Sequence, residues 1–221
     1  MHIAPEPLPS AQQPQPPLNV QSSFSFCHRG FMGAVLLAPV GLAVIFSPPT
    51  VAEDSLPGVL LNASGWLAFF TCVAVRVWAT LYVGGRKDRE LQTEGPYSIS
   101  RNPLYVGSFA FAFAMACFLK SIVFGTALLF GILLYLQFVV RAEEHFLQLR
   151  FQEDYRNYCR RTPRFWPSWS SFQTPPMISV ELKRLKQEVK RLCRSAALII
   201  ALQVVLNFRG SESWPRWFAV W

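Results

Sequence analysis

Four runs of apolar residues, each near the length of a bilayer-spanning helix, constrain this chain more than any other feature of its sequence. Gly30 to Phe46 is the first, stopped by Pro48-Pro49. Val59 to Val83 is the second, interrupted only by Arg76 and closed by Gly84-Gly85. Leu104 to Leu119 is the third and Ile122 to Val140 the fourth. About 20 apolar residues in a helix cross a hydrocarbon core of about 30 Å, and a helix pairs its own backbone N–H and C=O groups where no water can. The composition agrees, at 52% hydrophobic and 15% charged residues with a mean hydropathy of +0.25. That excludes a disordered protein, a coiled coil and a disulfide-stapled mini-domain, and argues against a soluble enzyme. The expected fold is all-α, a polytopic transmembrane bundle of four spans plus a C-terminal fifth.

A fifth stretch, Ser195 to Phe208, is shorter. It continues from a basic segment, Glu181 to Arg194, with Val180, Leu185, Val189 and Leu192 at helical spacing, and reads as an interfacial helix turning into the membrane. Only Lys120 and Ser121 separate the third run from the fourth, which requires a tight antiparallel hairpin. Residues 1–29 are Pro/Gln-rich, with six prolines in the first seventeen positions, and read as a disordered tail rather than a signal peptide. This divides the chain into the tail, a membrane domain over 30–170 and a C-terminal part over 171–221.

The net charge of +8 could point to nucleic acid, but in so apolar a chain positive charge collects on loops facing anionic headgroups. Its distribution supports that reading. The segments 84–103 and 141–194 hold sixteen Lys and Arg, whereas 47–58 holds none and the hairpin only Lys120. Both long segments are therefore expected on the cytoplasmic side. The five cysteines are scattered, with no C-x-x-C pair or His at ligand spacing, so no metal site is expected and the thiols read as small hydrophobes.

Polar groups cluster on that same side. The loop 86–107 reads RKDRELQTEGPYSISRNPLYVG, and the fourth run continues into RAEEHFLQLRFQEDYRNYCRRTPRFWP over 141–167. The topology brings both to one layer, which offers Tyr97, Arg101, Asn102, Tyr105, Arg141, Glu143, Glu144, His145, Tyr155, Tyr158 and Arg164. Adjacent carboxylates beside Arg and Tyr suit a zwitterionic or cationic small molecule. Each piece also has a plainer reading. Gly95-Pro96 makes a turn, Asn102-Pro103 starts a helix, the tyrosines sit in an interfacial belt, and the two glutamates neutralise Arg141.

Taken together, GPYSISRNPLYVG, the later E-E pair and FQEDYRNYCRRTPRFWP resemble the isoprenylcysteine carboxyl methyltransferase family, itself similar to the membrane phospholipid N-methyltransferases. The resemblance covers roughly residues 66 to 170. One departure stands out: Asn102 replaces the histidine usual in R-H-P-x-Y-x-G, and Asn can hydrogen-bond but cannot carry a proton. The resemblance implies binding of S-adenosyl-L-methionine at a membrane-embedded, cytoplasm-facing site. The sequence has no G-x-G-x-G run of the soluble type. Carried over, the cofactor contacts would come from Tyr97, Arg101, Asn102, Pro103, Leu104, Tyr105, Gly107, Glu143 and Glu144, with Leu91 and Gln92 beside the adenine. Arg141 or Arg164 would hold the acceptor's carboxylate.

The implied acceptor is hydrophobic or lipid-linked, entering from the membrane lipids; no nucleic acid partner is implied. The membrane would be a bacterial cell membrane or a eukaryotic endoplasmic reticulum. A carboxylate acceptor is already a nucleophile and needs only to be oriented, whereas an amine must first lose a proton, so Asn102 favours carboxyl methylation. A phospholipid amine methyltransferase, a non-catalytic membrane binding or assembly protein and, more weakly, a membrane reductase using NADPH remain as rivals. Arg76 is left open between snorkelling to the interface and lining the site.

Overall fold

The computed structural model describes residues 38–48, 50–83, 90–209 and 214–217. The expected tail, the beginning of the first run and Arg86, Lys87 and Arg89 of the basic loop lie outside those residues. Among the described residues the fold is all-helical, with no strand. In chain order these are α1 (38–45), α2 (Leu56–Val83), α3 (Pro96–Ile99), α4 (Pro103–Leu119), α5 (Ile122–Tyr135), α6 (Arg141–Arg161) and α7 (Leu182–Arg209).

Among the described residues two helices are long and apolar enough to cross a membrane: α2, with 28 residues, and a run of 40 residues from Ile122 to Arg161. The second joins α5 to α6 through a π-helical turn, Leu136–Val140. The expected end of the fourth run at Val140 is thus no end at all. Helical hydrogen bonding carries on into the charged segment, and only Gln152, with φ 42° and ψ −110°, breaks the helical backbone. Helix α4 is apolar but has 17 residues, matching the short third run.

The hairpin between α4 and α5 forms as the spacing requires. Lys120 takes the left-handed conformation, φ 50°, and donates its N–H to Ala116 O at 3.1 Å, while Ser121 Oγ accepts from Phe124 N at 3.3 Å. Helices α2 and α4 form the most intimate pair. Gly65 permits it, since a Cβ there would stand 2.6 Å from the Phe118 ring. Around this pair Val44, Phe69, Ala114, Phe118, Phe124, Ile199, Leu202 and Leu206 build one buried core. Burying a side chain of that size contributes about 1.5–3 kcal/mol.

Helix α7 joins the basic segment, where helical spacing predicts a helix, to the fifth apolar stretch. The apolar stretch begins at Ser195, yet the helix starts at Leu182 and runs straight through. At about 1.5 Å per residue it is about 42 Å long. Leu192, Ile199, Leu202 and Leu206 are buried along its length, and its last residue, Arg209, donates to the carbonyls of Ser47 and Pro48 at 2.9 and 2.7 Å. It therefore runs alongside α2 and α4 from the Pro103 end of the bundle to the hairpin end.

Candidate functional site

The polar cluster forms at the Pro103 end. Its platform is the short α3, which begins after Gly95. That residue has φ 60° and ψ −128°, and a Cβ on it would lie 2.3 Å from the Tyr82 ring, so only glycine fits both the backbone and the space. The 95–102 segment is then tied to the chain beyond α6 by a ladder of bonds. Gly95 N donates to Gln173 O at 2.7 Å, Arg101 N to Pro163 O at 2.9 Å and Ser168 N to Ile99 O at 3.0 Å. Tyr158 Oη donates to Tyr97 O at 2.6 Å. The two segments that the sequence places in one layer are in direct contact.

Glu144, on the first turn of α6, sits at the centre. Arg164 grips it with two nitrogens: Nε lies 3.1 Å from Oε1 and Nη2 lies 2.9 Å from Oε2. Asn102 Nδ2 donates to Glu144 Oε1 at 3.0 Å and to Arg164 O at 3.3 Å, and Arg101 Nη1 stands 3.7 Å from the same carboxylate. Beside it, Glu143 accepts a hydrogen bond from the Tyr105 hydroxyl, and Tyr105 meets the Tyr135 ring edge-on at 5.5 Å. Pro103 occupies the first turn of α4, as expected, but the Asn102 side chain makes no cap bond to that helix. The plain reading of Asn102 as a helix cap therefore fails for its side chain, which is spent on Glu144 and Arg164.

Burial shapes the electrostatics of the surrounding groups. It pushes the Tyr97 phenol well above its ordinary range, with Tyr158 and Glu143 adding to the effect. Tyr158 is pushed up likewise, by burial first and Tyr155 next. For Arg101 burial acts to lower the pKa, but Cys159 and Glu144 more than reverse this and hold the guanidinium firmly charged.

The other expected residues divide. Gln92 lines a separate small cleft with Tyr82, Glu94 and Met177, and Leu91 is half-buried just before it. Arg141 is exposed and takes no part in the contacts made by Glu144. His145 is exposed as well. Leu104 and Gly107 face Arg76 instead. The Leu104 carbonyl accepts from Arg76 Nη1 at 3.3 Å, and a Cβ on Gly107 would lie 2.5 Å from Arg76 Cγ.

Sequence reasoning passed over two residues. Cys159, read as a small hydrophobe, accepts from Arg101 Nη1 at 2.9 Å. Glu188 pairs with Arg76 at 2.6 Å. Its signal was present, because it is the one carboxylate between Leu182 and Arg194 in an otherwise basic run.

The family profile for phospholipid methyltransferases matches residues 55–154, which takes in α2, α4, α5 and the glutamate pair. The chain belongs to that family. It is one related to the isoprenylcysteine carboxyl methyltransferases, as the motifs implied. A nickel-cobalt-cadmium resistance protein, NccN, of Alcaligenes xylosoxydans xylosoxydans is 33% identical over 195 residues, spanning 88% of this chain and 89% of its own. A cobalt-zinc-cadmium resistance protein, CzcN, of Cupriavidus metallidurans is 32% identical over 130 residues, spanning 59% of this chain and 60% of its own. No solved structure matches the chain. The family match ends at Asp154, so Tyr158, Cys159, Arg164 and all of α7 complete the architecture from outside it.

Proposed function

We propose that this protein is an integral membrane methyltransferase that uses S-adenosyl-L-methionine to methylate the carboxylate of a hydrophobic or lipid-linked acceptor. The helices would cross the membrane as four spans with α7 as a fifth, the cofactor site facing the cytoplasm. The observation that carries the reading is the Glu144 cluster, in which carboxylate, two guanidinium groups and an amide converge at the end of an apolar bundle.

The donor set suits the cofactor's zwitterionic methionine end. Arg101 Nε is buried with no hydrogen-bond partner, and a buried orphan donor of this kind is matched by a ligand carboxylate. Glu143 and Glu144 would take the ammonium, and Tyr97, Asn102 and Tyr105 would shape the site around it. The cofactor, when bound, supplies a methyl group made electrophilic by its sulfonium. What remains for the chain is alignment. The Arg164 guanidinium, fixed by Glu144, would orient an acceptor carboxylate by a charge-assisted hydrogen bond, and the surrounding helices would exclude water.

A carboxylate acceptor fits because it surrenders no proton. Asn102 cannot accept one, Glu144 is held by two arginines, and the Tyr97 and Tyr158 phenols are kept protonated by burial. The phospholipid methyltransferase profile supports a second reading, in which the acceptor is a phospholipid amine. The relatives' names associate them with resistance to nickel, cobalt, zinc and cadmium. Among the described residues no group of three His, Cys, Asp or Glu side chains could hold a metal ion. In this reading, a share in such resistance would act through methylation of a membrane component.

Incubating membranes that contain the protein with methyl-labelled S-adenosylmethionine tests the proposal. Label in a lipid-extractable product that is released by mild base supports a methyl ester. Base-stable label moves the assignment to amine methylation, and cofactor binding without transfer makes the protein a non-catalytic binder.

A further inference from the structure

Arg76 lies inside α2, about seven residues or ~10 Å of helix from Val83, at a depth where an unpaired guanidinium is costly. Its side chain is 12% exposed, and every contact it makes points toward the site end of α4 or toward α7. Nε meets Glu188 Oε1 at 2.6 Å. Nη1 donates to Ser108 Oγ at 2.7 Å and to Leu104 O at 3.3 Å. Gly107 supplies the clearance for the arginine stem to cross α4. Glu188 is 7% exposed and has its second oxygen engaged by Arg191 at 2.8 Å.

The residues that Arg76 holds, Leu104 and Ser108, flank Tyr105 on the first turns of α4. Tyr105 holds Glu143, and Asn102, one residue before that helix, holds Glu144. We propose that Arg76 is a positioning residue that sets the first turns of α4, and so the Asn102 and Tyr105 contacts, and that α7 takes part in the site through Glu188. Arg76 therefore neither snorkels nor lines the site. It is a brace, and it makes the helix beyond the family match a working part of the catalytic unit. The effect on cofactor affinity rests on the function proposed above; the bracing of α4 does not.

Two variants of the full-length protein in detergent separate these statements. Glu188→Gln removes the charge that holds Arg76. Ser108→Ala keeps the ion pair and removes one link to α4. Hydrogen exchange of the cofactor-free protein is expected to speed up over residues 104–109 in Glu188→Gln, with Ile122–Tyr135 unchanged. Ser108→Ala is expected to melt near the wild-type temperature yet bind S-adenosylmethionine roughly three- to tenfold more weakly, the consequence of one lost hydrogen bond in the support of the site. Exchange changes confined to α7, or wild-type affinity in Ser108→Ala, would overturn the positioning role. Should the wild-type protein itself fail to bind the cofactor, the functional reading falls and the exchange result alone decides the brace.

Discussion

Both ends of the bundle bury charge, but they dispose of it differently. At the hairpin end each cation is closed off locally. Arg209 is 4% exposed and ends on the carbonyls of Ser47 and Pro48, and Lys120 pairs with Glu53 while its own backbone carbonyl accepts from Thr50 at 2.9 Å. At the Pro103 end two guanidinium groups converge from separate segments onto one carboxylate, and Arg101 Nε and Arg164 Nη2 are buried without a hydrogen-bond partner. The first arrangement satisfies backbone groups that the helix termini would otherwise strand. The second holds side chains in register with buried donors in reserve, an arrangement the proposed ligand site would use and a cap would not.

Substitutions at the two ends should therefore separate affinity from stability. The largest effect is expected from Glu144→Ala, which strips Arg101 and Arg164 of their shared partner. Loss of charge-assisted bonds at this half-buried position corresponds to about 2–3 kcal/mol, more than tenfold in S-adenosylmethionine affinity by calorimetry, with the helical circular dichroism retained. Arg209→Ala should do the reverse. It leaves the carbonyls of Ser47 and Pro48 bare, at a cost of about 2 kcal/mol in a denaturation curve, and leaves cofactor affinity at its wild-type value.

Asn102 sharpens the contrast further. Asn102→Leu should weaken cofactor binding by about 1–2 kcal/mol, whereas Asn102→His, which still offers a donor toward Glu144, should bind near the wild-type level. Were the Leu variant to lose melting temperature alone, the residue would belong with the caps of the other end. The smallest effect concerns pH. The Tyr97 and Tyr158 phenols are pushed above their ordinary value of about 10, so above that pH the unfolded chain sheds protons that the folded one keeps. Stability should be level below about pH 10 and fall as the pH rises beyond it. Tyr158→Phe should make the fall shallower, while losing about 1 kcal/mol for its bond to Tyr97 O.

How much of this was legible beforehand depended on how local each property is. The apolar runs predicted α2 and α4 to within a few residues, because helix formation in an apolar stretch is a matter of neighbouring side chains. The Lys120-Ser121 hairpin was fixed by its length. The glutamate pair, Asn102, Tyr97 and Arg164 were found because their order along the chain resembles a family. Arg141 was offered only as the arginine nearest the glutamate pair along the chain, and nearness in sequence does not say which side chain faces the cluster; it stands exposed. Glu188 was missed because its partner lies 112 positions away, and a single acid in a basic helix reads as a solvated charge until something packs against it.

The sequence by itself determined the helices, their apolar lengths and the segregation of positive charge, since each follows from side chains within a turn or two of one another. Only the tertiary structure decided the facing of those helices. It alone made Asn102 a partner of Glu144 rather than a cap, Gly107 a clearance for Arg76, and α7 a member of the bundle along its whole length. Facing is cyclic, repeating about every 3.6 residues, so an error of one residue turns a side chain by about 100° and takes it off the face on which it packs. Packing between distant helices is what removes that ambiguity.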